Sequence, residues 1–594
     1  MNHTLRSRKY KIGNSFSNLL RVPFWISLIS ILVFIYDIGY QQQTSELEYL
    51  YFIYLVTIIA GCFSLLGRYI LKHTRPRLKT WPFDFLLLII YLCMIIEYTG
   101  ITSIVLPVFL QNSFWLYFAI FLVFSREFSA LNINFKRTVI NPAQLFIFSF
   151  LIIIIIGGFL LMLPNATYSG ISFVDAMFTS TSAVCVTGLI VQDTATYFTE
   201  FGQIIIILLI QIGGLGIMTF ASYFSYFFTG SSSYENQIIL HEMTNSEKVA
   251  EVFSTLKRII LITFAIEAFG AFLIYESIDQ SLFQFQSDHI FFSIFHSISA
   301  FCNAGFSTLT NNLYDTSFRF NYSLQIIIAL LIIFGGIGFP IFFNLLKYIG
   351  HKIKFFFLRF IKKKRVRSSP RIINVNSRIV LITTFWLLLL GTALFFILEY
   401  YNTLNEHNFG GKLIVSFFSA VTPRTAGFNV VDTSALNIAT ILLVMLLMWI
   451  GASPASTGGG IKTSSLAVAW LNILSIARGK QRVEVFKREI SSVSIHRAFA
   501  VIILSIFVIF LSISFLSIFE PDKGILNIAF ECISAFGTVG LSTGITPHLC
   551  GASKIVLIFT MFIGRVNMLT ILIALFKKST TLVGRYPSES ILIN

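Results

Sequence analysis

The stretch SAVCVTGL, Ser182–Leu189, is uncharged, built of small residues, and closes on a glycine before a long apolar run resumes. Three others share its plan: SAFCNAGF (Ser299–Phe306), SAVTPRTAGF (Ser419–Phe428, with two additional residues) and SAFGTVGL (Ser534–Leu541). Each follows a half-length amphipathic segment and precedes a long apolar one. Their closing glycines, Gly188, Gly305, Gly427 and Gly540, recur at nearly equal intervals. A second landmark keeps the register. IGGLG at 212–216, FGGIG at 334–338, IGASP at 450–454 and IGRVN at 563–567 place Gly213, Gly335, Gly451 and Gly564 at similar distances downstream. Repetition at a fixed period decides architecture before any single residue does. Four repeats follow, at about 140–229, 250–350, 373–478 and 490–580.

Composition says where such a chain resides. Of 594 residues, 56% are hydrophobic and 12% charged, against about 25% charged in a soluble domain. Many apolar runs approach the roughly 20 residues that span a hydrocarbon core. The expected fold is an all-α polytopic membrane protein, and a soluble enzyme is excluded. Arg6, Arg8, Lys9 and Lys11 lead into a membrane segment near 22–40 with no small-residue cleavage pattern, so no cleaved signal peptide is read. A net charge of +16 could suggest nucleic acid. In a membrane chain, however, Lys and Arg mark the cytoplasmic side, and the expected surroundings are lipid, with no nucleic-acid partner. The basic runs at 68–79, 126–137, 347–378 and 478–488 contrast with IGYQQQTSE, EYTGITS, LPNATYSGIS and ESIDQSLFQFQSDH, which hold no Lys or Arg. The two sets alternate as cytoplasmic and external loops should, with the N-terminus cytoplasmic.

Residues 1–135 read as a separate block with membrane segments near 22–40, 48–71, 81–98 and 103–125, ahead of an ion-conducting domain at 136–594. None of the four segments carries Arg or Lys at every third position, as a voltage sensor would, so the block reads as an accessory helical bundle. The six cysteines form no CxxC pair, and packing is their expected role rather than a disulfide framework or zinc site.

Irregular backbone inside a membrane is tolerated only when buried in protein or lining a watery cavity. The four short stretches therefore read as re-entrant loops. Each is preceded by a half-helix whose C-terminal end carries roughly half a negative charge. Four loops converging on one axis can replace a cation's hydration shell with backbone carbonyls, and glycine supplies the φ > 0 that such a turn requires. The candidate ligands are the carbonyls of Val186, Thr187 and Gly188, of Asn303, Ala304 and Gly305, of Thr425, Ala426 and Gly427, and of Thr538, Val539 and Gly540. Glycines serving only close helix packing would need neither a preceding half-helix nor equal spacing. No loop contains an acid, which favours a dehydrating K⁺ site over a calcium-type acidic ring. Arg424 is expected to point off the axis, tied to a carbonyl or acid behind its loop.

Together SAVCVTGL, QIGGLGIMTF, TPRTAGFN, GASPASTGGGIKT and FIGRVNMLT resemble the Trk/Ktr superfamily of potassium-uptake membrane subunits, related to plant HKT transporters. The resemblance covers about 140–594. It implies four pseudo-symmetric helix–pore-loop–helix units around one pore, with one filter glycine in each loop. It also implies a bacterial inner-membrane location, a homodimer and a cytosolic ring of nucleotide-binding regulatory subunits, with K⁺ as the transported ion and no cofactor in this chain. In the plant relatives a serine in the first loop goes with Na⁺ preference; Gly188 here supports K⁺. Relatives usually have a second glycine near Asn567, which this chain lacks.

The second long helix of the third unit breaks at GASPASTGGGIKTSS, where Pro454 and Gly458–Gly460 cannot sit in a regular helix at ordinary cost. The break resembles the family's intramembrane gating loop, with Gly458, Gly459, Gly460 and Lys462 as gate residues. A Walker phosphate loop is ruled out because Ile461, and not glycine, precedes Lys462. Arg565 is an intramembrane charge and so a functional candidate. By resemblance it faces the cavity and meets the Gly-rich loop as a barrier to cations, and the alternative is a buried pair with a carboxylate. Asp175, His296 and Glu531 stand alone near the loops and read as capping or packing groups, which argues against a membrane-embedded enzyme. The remaining functional alternative is a Na⁺-preferring or Na⁺-coupled transporter of the same fold.

Overall fold

The computed structural model describes residues 22–40, 44–70, 81–99, 113–129, 142–216, 252–356 and 373–576. The N-terminal basic residues, half of the 347–378 basic loop and the end of the first repeat lie outside them.

Four helices open the described chain: α1 (Val22–Gly39), α2 (Thr44–Ile70), α3 (Trp81–Thr99) and α4 (Ser113–Ser129). The last runs several residues further along the chain than hydropathy suggests. They share a core that includes Tyr54, Ile58, Leu87, Tyr91, Leu116 and Ile120. Charge inside this bundle is neutralised locally. Arg68 pairs with Glu127 at 2.5 Å, and Arg126 with Asp84 at 2.6 Å, as the high cost of a lone charge in hydrocarbon requires. The bundle meets the next segment where Asn165 Nδ2 donates to the Ile38 carbonyl at 2.8 Å.

The repeats then appear in order. The first comprises α5 (Pro142–Leu161), the half-helix α6 (Phe173–Val184) and α7 (Glu200–Gly214). The second holds α8 (Val252–Ser277), half-helix α9 (Gln286–Cys302), α10 (Tyr322–Gly336) and α11 (Phe339–Phe356). The third holds α12 (Val375–Glu399), half-helix α13 (Phe409–Val421), α14 (Ile438–Trp449) and α15 (Thr463–Ala477). The fourth holds α16 (Ser492–Phe519), half-helix α17 (Ile525–Gly537), α18 (Gly551–Val566) and α19 (Met568–Leu575). Among the described residues six helices are long and apolar enough to cross a membrane, or seven spans when the bent pair α10–α11 counts as one.

Two of the four half-helices, α6 and α13, start where a side chain caps them. Ser172 accepts from the Asp175 N–H at 3.1 Å, and Asn408 from the Gly411 N–H at 2.6 Å. At 1.5 Å per residue their 12 to 17 residues reach roughly 18–25 Å, short of a full crossing. The second glycine landmark is explained by packing. A methyl group built on Gly213, Gly335 or Gly564 would lie 2.1, 1.9 or 2.0 Å from the carbonyl oxygen of Val184, Phe301 or Phe536. Only bare Cα atoms let the long helices rest on the last turns of the half-helices.

Sequence reading reserves a break for the third unit; the structure spreads it further. Helices α10 and α11 are bent by 105°, and α18 and α19 part at Asn567. The hinge lies three residues past the landmark glycine, at Gly338 with φ +88° and Asn567 with φ +75°. Gly216 in the first unit also has φ +74°. Asn567 thus does the work of the missing glycine, and its side chain accepts from the Leu569 N–H at 3.2 Å to start α19.

Candidate functional site

The four glycine-terminated loops meet in a closed cycle. A methyl group built on Gly188 would lie 2.2 Å from the Ala304 carbonyl oxygen, and one on Gly305 2.5 Å from that of Ala426. One on Gly427 would lie 2.3 Å from the Val539 oxygen, and one on Gly540 2.2 Å from that of Thr187. Each glycine therefore packs against the residue before the next glycine, in chain order, and the fourth returns to the first. This places Thr187–Gly188, Ala304–Gly305, Ala426–Gly427 and Val539–Gly540 around one axis.

The backbone repeats as faithfully. The glycines have φ of +85°, +71°, +78° and +92°. Two residues earlier, Val186, Asn303, Thr425 and Thr538 all have φ between +50° and +72°, a conformation that costs a non-glycine residue energy and concentrates at functional sites. Backbone N–H groups tie each turn to its half-helix: Thr187 to Ser182 O at 2.7 Å, Ala304 to Ser299 O at 2.7 Å, and Val539 to Ser534 O at 2.9 Å. In the third unit the half-helix ends at Val421, six residues before its glycine, so the two additional residues lengthen the turn. Thr422 Oγ1 donates to Phe428 O at 2.6 Å, as Ser299 Oγ donates to Phe306 O at 2.7 Å. Thr422, and not Ser419, is thus the anchor. Arg424 lies behind its loop, with Nη2 donating to the Gly451 carbonyl at 3.5 Å.

Below the cycle lies the interruption between α14 and α15. Gly459 N–H donates to Thr538 Oγ1 at 3.0 Å. A methyl on Gly458 would meet Thr425 Oγ1 at 2.0 Å. The Asn303 amide lies 3.2 Å from Thr457 Oγ1 and 3.4 Å from Thr425 Oγ1. Residues 457–459 thus touch three of the four loops. The segment is clamped from within by Lys462 Nζ, which donates to the Gly458 carbonyl at 2.6 Å. Gly460 N–H donates to Gly564 O at 3.3 Å. Arg565 serves the remaining quadrant: it donates to the carbonyls of Thr457 and Gly213. Among the described residues no carboxylate pairs with it.

Asn303, Thr425 and Thr538 are chosen from sequence for their carbonyls, yet their side chains make the contacts with the interruption. The sequence carries a signal for this: the position two before the glycine is polar in three loops and apolar, Val186, in the first. Thr457, the residue held by Arg565, is missed altogether. The isolated titratable groups are structural here. Asp175 pairs with Lys554 at 2.6 Å. His296 bridges the Phe292 carbonyl and Ser307, each at 2.9 Å. Glu531 accepts from Ser542 at 2.5 Å, Thr546 at 2.7 Å and the Thr543 N–H at 3.1 Å.

Four turns closed on one axis, within a bundle of membrane-length helices, define an all-α polytopic membrane protein. The family model for the TrkH cation transport proteins matches residues 111–583, and the chain belongs to that family. The match takes in α4, further upstream than the motifs alone reach. The chain is 39% identical over 453 residues to the Ktr system potassium uptake protein B of Bacillus subtilis (strain 168), covering 76% of this chain and 96% of that protein. It is 37% identical over 465 residues to the potassium/sodium uptake protein NtpJ of Enterococcus hirae, covering 77% and 98%. The crystal structure of the potassium transporter TrkH from Vibrio parahaemolyticus shares the fold, with a TM-score of 0.58 at 15% identity over 88% of this chain and 97% of that one.

Proposed function

We propose that this chain mediates potassium uptake, with the closed cycle of turns as its selectivity filter. The carrying observation is the cycle itself, in which Gly188, Gly305, Gly427 and Gly540 each pack against the neighbouring loop's backbone. Such a ring presents carbonyls and excludes side chains, which suits a dehydrated alkali cation. The half-helix C-termini add partial negative charge from four directions. The names of its relatives favour K⁺, and the absence of any acid from the four turns agrees.

The interruption at 450–462 is the gate in this reading. Residues Thr457–Gly459 lie directly under three turns, and Arg565 and Lys462 bring two cationic groups to the same level. A fixed positive charge there opposes cation passage. Opening requires the loop to leave Asn303, Thr425 and Thr538.

The ion-conducting domain is assigned to 136–594 and an accessory helical block to 1–135. The chain works in the plasma membrane with its N-terminus cytoplasmic, as a homodimer governed by a cytosolic nucleotide-binding regulatory subunit. Growth of a K⁺-uptake-deficient bacterium at low K⁺ tests the filter: the wild-type chain rescues growth and Gly305→Ser does not. Equal rescue by both removes the filter assignment. The likeness to a potassium/sodium uptake protein supports a second reading, transport of Na⁺ as well. Rubidium and sodium uptake in proteoliposomes separate the two.

A further inference from the structure

The four turns are alike in backbone but not in what surrounds their carbonyls. Asn312 Nδ2 donates to the Gly305 carbonyl at 3.2 Å. Among the described residues no side chain donates to the carbonyl of Gly188, Gly427 or Gly540. The contact is built in. Asn312 Oδ1 accepts from the Leu313 N–H at 2.9 Å, which turns the amide nitrogen toward Gly305. The Asn312 N–H donates to Leu309 O at 3.1 Å, and Leu309 N–H in turn donates to Ser307 Oγ at 3.0 Å. Ser307 is held by His296 on the half-helix α9, and Leu313 is fully buried. Asn312 also adopts φ +55°, a conformation for which asparagine is among the best-suited non-glycine residues. At the same distance past the other glycines stand Ala195, Ser434 and Pro547, none of which has an amide.

We infer that Asn312 is a specificity-determining residue of the transport pathway, setting how strongly the Gly305 quadrant binds the arriving cation; the inference rests on the filter reading above. A carbonyl oxygen has two lone pairs. An N–H on one of them competes directly with an ion and fixes the direction of the C=O. The outermost site is thus a ring of three free carbonyls and one restrained one. It binds cations less tightly than a fully symmetric ring and releases them faster. Conduction depends on this balance, because a site must attract an ion and still let it leave.

Rubidium uptake into proteoliposomes tests this with Asn312→Gly, which keeps access to positive φ and removes the donor to Gly305 together with the acceptor for the Leu313 N–H. KM is expected to fall about threefold or more, with kcat falling alongside it as release slows. Asn312→Asp retains the shape and replaces the donor by an acceptor; its KM falls further, and the difference from Asn312→Gly shrinks as ionic strength rises. A general loss of structure lowers kcat without lowering KM. Unchanged KM in both variants overturns the inference, as does a rise in KM. Gly305→Ser, measured in parallel, separates the two levels. If it alters the rubidium-to-sodium ratio while Asn312→Gly changes nothing, the filter reading stands and only the role of Asn312 fails. If neither alters transport, the filter reading falls with it.

Discussion

Two levels along the same axis are built on opposite plans. At the ring of glycines, four turns have equivalent torsions and equivalent glycine-to-backbone contacts, and the one side-chain bond to a ring-glycine carbonyl among the described residues is that of Asn312 to Gly305. One step below, at Thr457–Gly459, no two quadrants match. Asn303, Thr425 and Thr538 each meet a different atom of one loop, and Arg565 reaches across to the first unit. The difference follows from what each level is asked to do in the proposed function. Dehydrating an ion calls for several equivalent oxygens held rigidly. Blocking and releasing a pathway calls for one part that differs from the rest and moves. Repetition supplied the first, and its interruption in the third unit supplied the second.

The largest effect is expected from breaking the ring. Gly540→Ala places a methyl 2.2 Å from the Thr187 oxygen at a residue with φ +92°, and rubidium uptake should fall at least about 100-fold. Gly544→Ala is the matched control: φ is +91°, but nothing lies within 4 Å. It should cost about 1 kcal/mol of backbone strain and leave uptake nearly intact. Equal damage from both would mean that strain, and not ring closure, is the issue.

Breaking the lower level should act in the opposite direction. Arg565→Ala is expected to raise K⁺ flux about tenfold in liposomes holding the chain alone, since it removes both a charge and the tie to Thr457. Lys462→Met, which removes the second cationic group and frees the carbonyls of Gly458 and Gly459 but leaves the tie between Arg565 and Thr457, should raise it about threefold. Unchanged or lower flux at normal expression would sink the barrier role. A third substitution sharpens the outer rim. Glu531→Ala removes the acceptor shared by Ser542, Thr543 and Thr546 and should lower stability to thermal unfolding by about 2–4 kcal/mol, with Glu531→Gln costing less. The smallest effect belongs to the hinge. Asn567 has φ +75° and ψ +126°, a region that strains any non-glycine residue. Asn567→Gly should stabilise the detergent-solubilised chain by about 1 kcal/mol, read as a higher melting temperature, with flux unchanged.

The symmetric level was legible in the sequence because symmetry writes itself as repetition. Four glycines at matched spacing located all four turns. The asymmetric level was legible only in part. Pro454 and the Gly458–Gly460 triplet exposed the interruption, and Arg565 its counterpart. Thr457 has no signature, because its role is a backbone carbonyl offered to Arg565, and any residue has one. The hinge at Asn567 was hidden for a related reason: φ +75° is expected of glycine, and asparagine is a rarer substitute. The anchor at Thr422 was masked by Ser419, which repeats the local pattern but lies two residues further from its glycine than the serines of the other loops. Asn312 was invisible because nothing in the other three units corresponds to it.

The cycle of glycine contacts also dictates a schedule. Its closing link joins Gly540, near the end of the chain, to Thr187 in the first unit, and chains are made and inserted from the N-terminus onward. A chain that has completed three units therefore holds two of the four links, Gly188 to Ala304 and Gly305 to Ala426, and leaves Gly427 and Thr187 without their neighbour in the fourth turn. Contacts so distant in sequence are slow to form. The ring thus closes only once the fourth unit has been made, and a chain truncated before Ser534 lacks the fourth turn.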